Sequence, residues 1–165
     1  MIFVTVGTHE QPFDRLVRYM DKWSGEHDEE VIMQTGFTEY VPKNCKWQKF
    51  YNYDWMQKLI EEARVVITHG GPSSFITPLQ LGKLPIVVPR KYDLGEHVND
   101  HQVVFCTKME KRYGNIVVVN DIEKLGEEID GIIIKQSKIK KSYHSHNAEF
   151  CDAFSKIVEE LMRKR

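Results

Sequence analysis

The chain has 165 residues, 41% of them hydrophobic and 28% charged, which suits one globular domain around one core. Its formal net charge of -1 supplies no global positive field, which argues against a nucleic-acid partner. Three scattered cysteines, Cys45, Cys106 and Cys151, fit neither a disulfide framework nor a zinc pattern and point to packing roles in a reducing cytoplasm.

Residues 2–6 are an almost continuous apolar run ending at Gly7, as expected of a first strand buried on both faces and not of a signal peptide. No stretch approaches the roughly 18 apolar residues of a membrane span. Pro12 is a good first helical residue, and Phe13, Leu16, Val17 and Met20 recur at helical spacing. Strands are expected at 31–34, 46–50, 65–68, 86–88 and 116–119. Between them, Tyr53, Met56, Leu59, Ile60 and Ala63 share a helix face. Pro72 and Ser73 open another helix, which Pro78 should kink or limit. Residues 97–108 and 121–129 read as helices, and Lys135, Lys138, Lys140 and Lys141 as a basic loop that is either solvated or turned to anionic lipid. A last helix, about 146–164, carries Ala148, Cys151, Phe154, Val158, Leu161 and Met162 on one face, a stripe expected to pack against the sheet. Strands alternating with helices predict an α/β fold, with residues 1–165 forming one doubly wound, mostly parallel sheet.

Three motifs carry chemistry. In Gly7-Thr8-His9-Glu10-Gln11-Pro12, a glycine turn leaves the first strand at the carboxyl edge where α/β ligand sites form. Thr8, His9 and the following N–H groups are candidate phosphate donors, against the plainer reading of a capped strand-to-helix turn. In His69-Gly70-Gly71-Pro72-Ser73-Ser74, two glycines let a diphosphate approach the backbone, and two hydroxyls add donors. The Lys of a Walker loop and a full G-x-G-x-x-G are both missing, which weakens nucleotide hydrolysis and dinucleotide binding. His69 is either a ligand or a histidine satisfied beneath its turn. In Glu96-His97-Val98-Asn99-Asp100-His101-Gln102, carboxylates and carboxamides suit sugar hydroxyls, which need both donors and acceptors. A rival is zinc held by His97 and His101, four apart on a helix, but Val98 stands where a zincin has its Glu. No metal is therefore expected.

Taken together, His69-Gly70-Gly71, then Leu-Gly-Lys-Leu-Pro-Ile-Val-Val-Pro-Arg over residues 81–90, then Glu96 to Gln102, resemble the C-terminal, donor-binding half of glycosyltransferase family 28 enzymes. The opening residues 3–16 resemble the small catalytic subunits of bacterial capsule and exopolysaccharide β-1,4-galactosyltransferases or glucuronosyltransferases. They also resemble their eukaryotic relative, the catalytic subunit of the dolichyl-diphosphate GlcNAc transferase. The resemblance implies a Rossmann-like half of a GT-B fold and an inverting transfer from a UDP-sugar, galactose being the guess, to a polyprenyl-diphosphate-linked sugar. It implies no cofactor beyond that donor. It also implies a membrane-associated acceptor-binding subunit as partner, so that the chain is cytoplasmic and peripheral at the membrane's inner face. In isolation the partner surface is available for a homodimer.

Residue by residue, the resemblance implies that Gly70, Gly71, Ser73 and Ser74, with His69, approach the diphosphate, and that Gly7, Thr8 and His9 line the same cleft. Asp100, His101 and Gln102 would reach the donor sugar, while Arg90 and residues 91–95 follow the strand that should flank the uracil. Relatives hold the ribose with an acidic residue in the helix after the glycine turn. Here Phe75-Ile76-Thr77-Pro78 offers no carboxylate, leaving Thr77 or Glu96. The catalytic base would be His9, Glu10 or a partner group. Rival readings are a non-catalytic UDP-sugar-binding regulatory subunit and a sugar-nucleotide epimerase.

Overall fold

Six strands form one wholly parallel sheet in the order β3-β2-β1-β4-β5-β6, with β1 Ile2–Thr5, β2 Val31–Gln34, β3 Lys46–Gln48, β4 Val65–His69, β5 Ile86–Val88 and β6 Val117–Val118. The structure is a computed structural model and describes residues 1–138 and 147–163. Strands β1, apolar up to its final Thr5, and β5, apolar throughout, are buried along their whole length, as strands covered on both faces must be. The strand order reverses between β1 and β4, which pair Ile2 with Val65 through Thr5 with Thr68. Open α/β sheets place a crevice at such a reversal, beyond the carboxyl ends of the strands.

On one face, α1 (Asp14–Glu26) buries Leu16, Val17, Met20 and Trp23 against Ile2, Val4, Val31 and Met33. Helix α5 (Leu125–Lys138) joins that layer through Leu125, Ile129 and Ile132, after a 3-10 turn Ile122–Lys124. On the other face, α2 (Tyr53–Glu62) packs Leu59 and Ile60 on Phe3 and Val66. Beside it α3 (Pro72–Gln80) and α4 (His101–Tyr113) enclose Phe75, Val87 and Cys106. The β2–β3 connection, residues 35–45, has no helix of its own. It is held by the buried Asp21 of α1, whose carboxylate accepts from Tyr40 Oη at 2.6 Å, Lys43 N at 2.9 Å and Asn44 N at 2.7 Å.

Several expectations are corrected. Helix α4 starts at His101, not His97, because side chains close residues 91–100 into a loop: Asp100 Oδ1 accepts from Tyr92 N at 2.9 Å and Asn99 Oδ1 from His101 N at 3.1 Å. His97 and His101 therefore do not share a helix face. Strand β6 is a two-residue, half-buried edge, not a buried strand over 116–119. The helix read at 121–129 extends to Lys138, so Lys135 and Lys138 are helical; Lys140 and Lys141 lie outside the described residues. Pro78 sits inside α3, which ends two residues later. The last helix, α6, spans Asn147–Arg163; His146 lies outside the described residues. Its apolar stripe does not pack on the sheet: Phe150, Phe154, Ile157, Val158, Leu161 and Met162 are all exposed. Burial pushes the thiols of Cys45 and Cys106 up to about 12, which suits packing residues.

Candidate active site

A cleft of about 490 Å³ opens at the carboxyl ends of β1, β2 and β4, the reversal point of the sheet. Gly7, Thr8, His9, His69, Ser73 and Ser74 all line it, so two loops 62 residues apart (69 − 7) meet there. What joins them is the His69 ring. A Cβ on Gly7 would overlap His69 Nε2, and a Cβ on Gly71 would overlap Cε1. Gly7 also has φ +75, which L side chains rarely adopt. Two glycines therefore clasp one imidazole. His69 Nδ1 accepts from Gly71 N at 3.0 Å, which leaves the ring proton on Nε2 in the neutral form. Burial, with the nearby Arg90 charge adding to it, lowers the His69 pKa from 6.5 to about 4, so the ring stays neutral near pH 7.

Ser74 Oγ lies 2.6 Å from Gly71 O and 3.0 Å from His69 O, so it braces the turn. Ser73 is exposed at the cleft. The N-cap Gly71 supplies no side-chain acceptor, Pro72 has no N–H and Ser74 N donates to Gly71 O at 3.0 Å; Ser73 and Ser74 bring the N-terminal end of α3 to the cleft. His9 Nδ1 accepts from Gln11 N at 3.2 Å, which puts its proton on Nε2 as well. Burial foremost, then Arg90 and His97, holds the His9 pKa below its ordinary value. Neutral His9 is thus a donor to the cleft. Its ring lies 4.9 Å from that of His97, which in turn is 6.3 Å from His101. Thr8 and Glu10 are both exposed, and of the two Thr8 lines the cleft.

Residues 90–102 sit behind this cradle. Arg90 is fully buried, and its guanidinium donates to Val6 O, Gln11 O, Pro12 O and Glu96 O at 2.7 to 3.2 Å. Burial lowers its pKa to about 10, so it remains a cation beneath His9 and His69. Gln102 is buried, and its Oε1 accepts from Gly70 N at 3.0 Å and Arg90 N at 3.1 Å. A Cβ at Gly70 would meet Gln102 Cβ at 2.8 Å. Glu96 forms a two-pronged pair with Arg15, both oxygens at 2.9 Å, and also accepts from Lys91 N. The Arg90 NH groups, the Glu96 carboxylate and Gln102 Oε1 thus bond to protein groups, whereas Arg90 Nε is buried without a partner. Asp100 and His101 are exposed at the start of α4. Of the two ribose candidates, Thr77 lines the cleft and Glu96 is turned to Arg15.

The sequence reading missed the far wall: Gln34, Tyr51, Tyr53, Met56 and Ile60. Gln34 is buried, donating to Thr5 Oγ1 at 3.2 Å and accepting from Tyr51 N at 3.0 Å. A glutamine ending an apolar strand was the available signal. Arg15 was missed too, because its partner lies 81 residues away.

Residues 1–161 match the glycosyltransferase family 28 C-terminal domain. The chain belongs to this family. Among curated proteins no sequence matches. Among solved structures, the glycotransferase of kitacinnamycin is similar with a TM-score of 0.51 and 17% identity over 84% of this chain and 35% of that one. The calicheamicin glycosyltransferase CalG4 is similar with a TM-score of 0.57 and 13% identity over 79% of this chain and 33% of its own. The family 28 domain therefore has the Rossmann-like fold of one half of a GT-B protein, about a third of the length of these neighbours. Among the described residues no helix is long and apolar enough to cross a membrane.

Proposed function

We propose that this family 28 domain is the donor-binding, catalytic subunit of an inverting glycosyltransferase that uses a UDP-sugar. The observation that carries the reading is the two-loop cradle, in which Thr8, His9 Nε2–H, Ser73 and the start of α3 converge on one cleft. Such donors suit a diphosphate whose charge grows as it leaves. The wall of Tyr51, Tyr53, Met56 and Ile60 supports a flat base there, with Thr77 at the ribose, in place of a uracil flanked by the strand that precedes Arg90.

In the reaction, an acceptor hydroxyl attacks the anomeric carbon, the bond to the UDP oxygen breaks, and the hydroxyl proton passes to a base. His9 with its proton on Nε2 fits the leaving-group side. Exposed Glu10, or a group of the partner, is the base. Asp100 and His101, exposed at the start of α4, are the sugar contacts, and Gln102 orients Gly70 and Arg90. The donor is the only small molecule required; we invoke no metal or cofactor. Galactose is the first donor to try, and the acceptor is a polyprenyl-diphosphate-linked sugar of capsule or exopolysaccharide synthesis. The acceptor-binding half is a membrane-associated subunit that captures the exposed stripe of α6 and holds this chain at the inner face of the membrane.

The test is calorimetric titration with UDP and with UDP-linked galactose, glucuronic acid, glucose and N-acetylglucosamine. It is followed by transfer to a polyprenyl-diphosphate-sugar with the partner present. Transfer that needs both proteins and falls on His9→Ala, Glu10→Ala or Asp100→Ala supports the enzyme. Donor binding without transfer would make the chain a regulatory subunit, and donor interconversion without acceptor would make it an epimerase.

A further inference from the structure

A second cavity, about 620 Å³, lies on the α2 face of the sheet at its β3 edge. It exists because α2 covers β1 and β4, while residues 35–45 are drawn to the opposite face by Asp21. The α2 side of β2 and β3 is left open. Ile32, Lys46 and Gln48 come from those strands, and Phe50, Asn52 and Trp55 from the approach to α2 and its first turn. Two of the three tryptophans of the chain line it, Trp47 at 39% and Trp55 at 52% exposure. Lys58 Nζ lies 5.1 Å over one face of Trp55, and the half-exposed remainder of the two indoles leaves apolar area uncovered in the free protein. Tyr51 lines both this cavity and the cleft, so the two adjoin.

The lining narrows the ligand. An acyl chain would cover the Gln48 amide and the Nδ2 of Asn52, whose Oδ1 already caps α2 by accepting from Trp55 N at 2.9 Å. Among the described residues that line it, the one cation, Lys46 Nζ, is already paired with Glu30 at 2.6 Å, which disfavours a phosphate. No lining residue is acidic, which disfavours a basic peptide. A pyranose ring offers an apolar face of C–H groups for an indole and a rim of hydroxyls for the Gln48 amide, both donor and acceptor, and for the Asn52 Nδ2 donor. We infer that this cavity is a saccharide subsite, separate from the cleft, which stacks one pyranose ring of a neutral or N-acetylated glycan on its tryptophans. The assignment does not depend on which donor, if any, the cleft takes.

The test titrates the full chain with a β-1,4-linked glucose tetrasaccharide and its N-acetylglucosamine counterpart, read by tryptophan fluorescence and saturation-transfer NMR. Saturable binding of either is expected, weakened about tenfold by Trp55→Ala and largely kept by Trp55→Phe. UDP titrated into Trp55→Ala should bind as it does to the parent chain, which separates failure here from failure of the donor reading. The inference is overturned by any of three results: no saturable signal with either glycan, unaltered glycan binding in Trp55→Ala, or equal loss in Ser73→Ala, which would move the glycan to the cleft.

Discussion

Helices α1 and α6 carry the same kind of apolar stripe and meet opposite fates. Leu16, Val17, Met20 and Trp23 of α1 are buried under β1 and β2, whereas Phe150, Phe154, Ile157 and Leu161 of α6 lie in solvent. Amphipathy says that a face wants cover; it does not say which molecule provides it. The difference lies in what anchors the rest of each helix. Arg15 pairs with Glu96, Asp14 Oδ1 accepts from Glu39 N at 3.0 Å, and Asp21 gathers residues 40–44, so α1 is tied to the sheet's loops by polar groups as well as by its stripe.

The contrast can be broken most forcefully at Arg15. The Arg15 and Glu96 side chains are 16% and 6% exposed, so Arg15→Ala strands a nearly buried carboxylate and should cost about 4 kcal/mol in denaturant unfolding. A loss below 1 kcal/mol would show that the pair is dispensable. Leu16→Ala should cost about 3 kcal/mol by leaving a cavity beneath α1, seen as a lower midpoint with an unchanged denaturant slope. A smaller effect comes from pH. The native His69 pKa is about 4 against 6.5 unfolded, so between those values the unfolded chain binds a proton that the native one refuses. Stability should therefore fall as pH drops from 6.5 towards 4, with His9 acting in the same direction, and His69→Asn should flatten the slope by up to about one proton. At the small end, Phe154→Ser and Leu161→Ser should each change stability by less than about 0.5 kcal/mol while abolishing co-purification with an acceptor-binding subunit. A large stability loss there would mean that the chain itself covers the stripe.

How much could be read beforehand follows the same line. The buried strands at 2–6, 65–68 and 86–88 were legible because parallel strands sealed on both faces are apolar throughout. The glycine turns were legible because close approach removes side chains, although the object approached proved to include the protein's own His69. The roles of Glu96, Gln102 and Arg90 were not legible. Each looked like a ligand group because its partners lie far away in sequence or on the backbone, and neither leaves a local pattern. The start of α4 was misread for a related reason, since Asn99 and Asp100 turn their side chains onto nearby backbone N–H groups and hold a loop where apolar spacing suggested helix.

Arg90 carries one more consequence, for the order of folding. Its guanidinium closes contacts across 84 residues to Val6 and 79 to Gln11. Contacts of such span form late, after the chain entropy between their ends has been overcome by other packing. The Gly7 loop and its His9 acquire their final shape only once β5 has docked. A chain still emerging from the ribosome without its central third therefore has a first strand and a first helix but no cleft.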